Sequence, residues 1–102
     1  MKKVFVKEGV VIREINEPML KLLNALLDAG SSWSYSPTLT SATDGKHKAG
    51  SLHYKSLAWD VRTSDLPKER WEEYTELVKS FLTAEYDVIL EKDHIHVEFD
   101  PK

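Results

Sequence analysis

Apolar positions recur along this chain with two different periods, and the change of period marks out its elements. Between residues 18 and 29, Met19, Leu20, Leu22, Leu23, Leu26 and Leu27 cover one broad face at three- and four-residue spacing, which predicts an amphipathic helix. Asn16 is placed to cap it, Pro18 falls in the first turn where a missing N–H costs little, and Gly30 is placed to end it. A second helix is predicted over residues 67–85. There Trp71, Tyr74, Val78, Phe81 and Leu82 repeat on one side, with Lys68, Glu72, Glu76 and Lys79 on the other. Ser64 or Asp65 would cap this helix, with Pro67 in its first turn.

Elsewhere the period shortens to two. Residues 94–99 alternate strictly, so His94, His96 and Glu98 share one face of a strand while Ile95, Val97 and Phe99 share the other. Further strands are expected at 38–42, 57–61 and 86–90, and residues 4–6 and 10–12 read as a short N-terminal pair. The polar stretch 43–51, with two glycines and no apolar repeat, reads as a surface loop. The order of elements predicts an α+β fold: a mainly antiparallel sheet with two helices packed on one face. A length of 102 residues is one domain's worth.

Composition narrows the function classes. With 14 basic and 17 acidic residues and the basic ones scattered, the chain lacks the footprint of a nucleic-acid binder. No segment approaches the roughly 18 apolar residues of a membrane span. The charged N-terminus is no signal peptide, so synthesis in the cytoplasm is expected, with access to anything outside by another route. The absence of cysteine restricts any metal site to His, Asp and Glu.

Those residues cluster. In the segment Glu91-Lys92-Asp93-His94-Ile95-His96, two histidines lie on one strand face behind two carboxylates. Side chains at i and i+2 of a strand project in parallel, so H-x-H there is either a solvated face or a metal grip. In Ser51-Leu52-His53-Tyr54-Lys55-Ser56-Leu57-Ala58-Trp59-Asp60, an acidic residue sits within an apolar strand. Buried there, Asp60 would need a metal, an arginine or capping amides as partner. Arg62, two residues on, would share its face.

The segment from Ser51 to Asp60 resembles the S-x-H-x-x-G-x-A-x-D signature of the zinc peptidases that include D-Ala-D-Ala carboxypeptidases and phage L-alanyl-D-glutamate endopeptidases. Asp93-His94-Ile95-His96 is similar to that family's second signature, an acidic residue three positions before the last zinc ligand. The two motifs occur in the family's order. The resemblance implies zinc held by His53, Asp60 and His96 on the sheet face opposite the helices, with Asp93 taking a proton from the zinc-bound water. His94 would orient Asp93 or stabilise the developing negative charge, and Glu91 is a rival base two residues upstream.

Ser51 would contact substrate. Ser56 stands at the motif's glycine position, a neutral exchange unless that backbone needs a positive φ. The family's upstream substrate-binding Arg is replaced by the stretch ending in Lys46, so Lys46 or His47 is expected in its place; Arg62 is a further substrate contact or a surface ion-pair member. The implied substrate is a peptidoglycan stem peptide and the implied protein a monomer. Two other readings stand beside this one: a non-catalytic zinc-bearing binding module of the same fold, and a metal-free structural domain such as a virion component.

Overall fold

The computed structural model describes residues 2–43, 52–53 and 55–101. Its centre is a five-stranded sheet of β1 (Phe5–Val6), β2 (Thr38–Ser41), β3 (Ala58–Arg62), β4 (Tyr86–Leu90) and β5 (His94–Phe99), in the spatial order β1-β2-β3-β5-β4. Every pairing is antiparallel except β1 with β2. Two helices, α1 (Glu17–Gly30) and α2 (Trp71–Ser80), pack on one face. The α+β class expected from the periodicity is the class observed. Among the described residues no helix is long and apolar enough to cross a membrane.

Strand alternation builds the core. Trp59 and Val61 of β3, Ile95 and Val97 of β5 and Val88 of β4 turn towards Met19, Leu22 and Leu26 of α1 and Tyr74 and Val78 of α2. Each of these side chains is almost wholly withdrawn from water, and their burial is the main stabilising term of the fold. The Tyr74 hydroxyl donates to the carbonyl of Leu26 at 2.8 Å, so the polar end of a buried aromatic is satisfied. The first helix follows its signals: the Asn16 side chain accepts from the Met19 amide at 3.3 Å, and Pro18 lies in the first turn. At its end a Cβ on Gly30 would stand 2.7 Å from the Tyr35 carbonyl oxygen, so only glycine lets the chain turn back there.

Two expectations need correction. The second helix is shorter than predicted: a 3-10 turn (Lys68–Arg70) precedes α2, which stops at Ser80. Pro67 is extended (ψ 142°), no side chain caps α2, and Asp65 pairs with Arg62 instead. Beyond the helix, the Glu85 amide donates to the Thr83 hydroxyl at 3.3 Å, a local contact that competes with helical continuation. The N-terminal segments 4–6 and 10–12 do not pair with each other. A turn at Gly9 (φ 91°) sends the chain past the sheet, β1 joins β2 in parallel, and Val11 receives the Thr43 amide at 2.8 Å.

Candidate metal centre

The sheet face away from the helices carries the polar alternates of the same strands. Asp60 and His96 are direct cross-strand neighbours, as are Arg62 and His94. An irregularity in the β2–β3 register between Leu39 and Ser41 re-aims the end of β2 beside Asp60. His53 arrives from a tight turn rather than from a strand. The Ser56 amide donates to the His53 carbonyl at 3.1 Å and the Leu57 amide to the Leu52 carbonyl at 2.9 Å. The turn needs a left-handed residue, and Ser56 supplies it at φ 58°. Its carbonyl accepts from the Asn16 side-chain amide at 3.1 Å, which ties the turn to the start of α1. The positive φ is thus required at the position where the resembling signature has glycine.

Three ligand atoms converge. His96 Nδ1 is 3.1 Å from Asp60 Oδ1, His53 Nε2 is 3.3 Å from His96 Nδ1, and His53 Nε2 is 3.4 Å from Asp60 Oδ1. Two ligands of a tetrahedral ion at about 2.0–2.1 Å lie about 3.3–3.4 Å apart, so this triangle has the edge lengths of one tetrahedral face. The outer nitrogens fix which lone pairs point inward. His53 Nδ1 donates to the Ala42 carbonyl at 2.8 Å, a group that can only accept, so Nε2 is the lone-pair nitrogen when the ring is neutral. His96 Nε2 donates to Glu98 Oε1 at 2.5 Å, which likewise turns Nδ1 to the cluster.

Two imidazole lone pairs and a carboxylate facing one another demand a positive charge between them. Without metal, a proton on His96 meets that demand: hydrogen bonding to Asp60 raises its pKa to about 9 against the opposing effect of burial, with Glu98 assisting. Burial pushes the Asp60 carboxyl up, but the His53 and His96 rings around it outweigh this and hold it far below the carboxylate range. The group of His53, Asp60 and His96 can therefore hold a metal ion. His53 is buried, while Asp60 and His96 are partly exposed, which leaves the group approachable from the side away from the core.

The remaining expected residues are distributed around this centre. His94 stands at its edge, with Nε2 3.9 Å from Asp60 Oδ1 and 3.7 Å from Glu91 Oε1. Asp93 lies in the turn before β5, its side chain 81% exposed, and its Oδ1 accepts from His94 Nδ1 at 2.9 Å. That bond with His94 holds the Asp93 carboxyl below the ordinary carboxylate range. The Thr63 hydroxyl donates to the Asp93 carbonyl at 2.8 Å and anchors the turn to the end of β3. Arg62 pairs through Nε with Asp65 at 3.1 Å, so it is a member of an ion pair. Ser51, Lys46, His47 and Tyr54 lie outside the described residues. Glu98 was visible only as a same-face neighbour; its position two residues after His96 on one strand was the available signal.

No protein-family model and no curated protein matches this sequence.

Proposed function

We propose that this chain is a zinc-dependent peptidase that hydrolyses an amide bond of peptidoglycan stem peptides, of the D-Ala-D-Ala carboxypeptidase or L-Ala-D-Glu endopeptidase type. The observation that carries the reading is the convergence of His53 Nε2, Asp60 Oδ1 and His96 Nδ1 at 3.1–3.4 Å, drawn from two signatures that lie 36 residues apart between Asp60 and His96. Two nitrogens, one carboxylate oxygen and an approachable side fit a catalytic zinc better than a closed structural one. Bound zinc would supply a Lewis acid for the amide carbonyl and would make a water acidic near neutral pH.

The chain's own groups do the rest. Asp93 takes the proton released by the water and returns it to the leaving amine. His94, whose Nδ1 donates to Asp93 at 2.9 Å, orients the Asp93 carboxylate. Arg62, the next residue on the Asp60 side of β3, meets a substrate carboxylate. A binding module without catalysis is the second reading. It is favoured by the high exposure and depressed pKa of Asp93, both of which make a carboxylate a weaker base.

Digestion of purified muropeptides, with product identification, separates the two. Chelation should stop hydrolysis and zinc should restore it. Asp93→Asn should keep zinc and lose about 10²–10⁴-fold in kcat. Full turnover by Asp93→Asn would sink the assignment of the base, and digestion unaffected by chelation would sink the zinc peptidase itself.

A further inference from the structure

A cleft of about 1040 Å³ opens where β1, the start of β2 and the end of β3 meet the segment leading into α2. None of His53, Asp60 and His96 lines it, but Arg62 does. Arg62 sits opposite His94 and two residues beyond Asp60 on the same strand. Same-face neighbours on a strand are about 6.5–7 Å apart, so the cleft begins one such step from the metal centre. A chain lying across the centre would enter it within two or three residues.

Its walls have the chemistry of a peptide site. Phe5 and Val6, each about half exposed, lie along it beside Trp33 and Tyr35. The Arg70 guanidinium stacks over the Trp33 ring at 5.0 Å, and the hydrogen bond of Arg62 to Asp65 uses Nε rather than an Nη atom. Although the chain is acidic overall, Lys7, Arg62 and Arg70 outnumber Glu8 and Asp65 around the cleft. An open strand edge completes it. Among the described residues β1 is the last strand on its side of the sheet, and the Phe5 and Lys7 amides donate to Pro37 and Leu39 of the β2 segment at 2.8 and 2.9 Å. In a parallel ladder alternate residues bond to the partner, so Val6, which lines the cleft, turns its N–H and C=O away from β2.

We propose that this cleft is a subsite for an extended peptide bearing a carboxylate, whose backbone adds to the β1 edge at Val6 and whose carboxylate meets the Nη edge of Arg62. Only the identity of that peptide as substrate rests on the peptidase reading; the cleft binds it without metal. Arg62 and Lys7 favour a carboxylate on the peptide, although Arg70 is paired with Glu73, and the strand edge selects an extended backbone over a compact ligand.

The test is an amide chemical-shift titration of the whole chain with acetyl-Ala-Glu-Ala and with its fully amidated counterpart, in chelator and again with zinc. The acidic peptide should shift Val6, Arg62 and the Trp33 indole under both conditions. The amidated peptide should bind about tenfold more weakly, as should Arg62→Gln with the acidic peptide. Val6→Pro, which removes the outward amide, should weaken both peptides while the remaining amide spectrum stays in place. Shifts outside the cleft, equal affinity for the two peptides, or an unchanged affinity in Arg62→Gln would each overturn the proposal. Zinc titration of the same samples is a separate readout: a chain that takes up no zinc but binds the acidic peptide at Val6 and Arg62 refutes the metal reading and upholds the cleft.

Discussion

The two faces of β5 are made from one run of six residues and do opposite work. Ile95 and Val97 are sealed against the helices, whereas His94, His96 and Glu98 hold partners that are charged or polar. On the first face the free energy comes from area removed from water, is non-directional, and tolerates any side chain of suitable shape. On the second it comes from a few directed contacts, and removal of one leaves a charge or lone pair facing its like. A strand can therefore carry a site at little cost to the fold, because alternation keeps the two sets of requirements on separate sides.

Substitutions along the strand should separate stability from metal affinity. Ile95→Ala should lower the unfolding free energy by about 2–5 kcal/mol, read from a denaturant midpoint, with the zinc affinity of the folded protein unchanged. A comparable loss of zinc affinity would show that the faces are coupled. On the other side, Glu98→Gln should weaken zinc binding roughly ten- to hundredfold through the orientation of His96, with only a small shift in midpoint. Competition with a chromogenic chelator measures it, and an unchanged affinity would remove Glu98 from the site.

The polar face should also write itself into the pH dependence of the metal-free chain. His96 titrates near 9 when folded, above its ordinary value of 6.5, because its charged form is held by Asp60 and Glu98 while His53 and His94 lie close by. Its contribution is thus complete below about pH 6.5 and is lost as pH rises through about 9, an effect on the order of 3 kcal/mol. Urea unfolding of chelated protein near pH 6 and near pH 10 checks the sign; greater stability at the higher pH would contradict the proton bridge. The smallest effect expected is a gain. Ser56→Gly relieves a non-glycine residue at φ 58° and should stabilise the chain by about 1 kcal/mol or less, with zinc affinity retained.

Much of this was legible in the residues because it is local. Alternation over 94–99 put the two histidines on one face, the 3.6-residue repeat and Asn16 delimited α1, and β4 and β5 begin and end where the pattern says. The resemblance of two segments to zinc-peptidase signatures singled out His53, Asp60 and His96 as one group. Other features required the folded chain, whether their partners are distant in sequence or only a few residues away. The parallel docking of β1 on β2, the early end of α2 and the pairing of Arg62 with Asp65 were not readable, since each is a competition between alternatives that a single segment cannot decide.

Within the site the division is the same. The resemblance nominated the ligands, but which nitrogen of each ring faces the site is set by what engages the other nitrogen. For His53 that engagement comes from the backbone of Ala42 at the end of β2, and for His96 from Glu98. The positive φ of Ser56 is likewise a tertiary demand, imposed by a turn that must bring a buried histidine to a strand face while its carbonyl meets the cap of α1. Sequence by itself determined which groups are present and which face of each strand they occupy. Only the tertiary structure decided which atoms of those groups converge, because hydrogen-bond direction is set by whatever the fold brings to the far side of each ring.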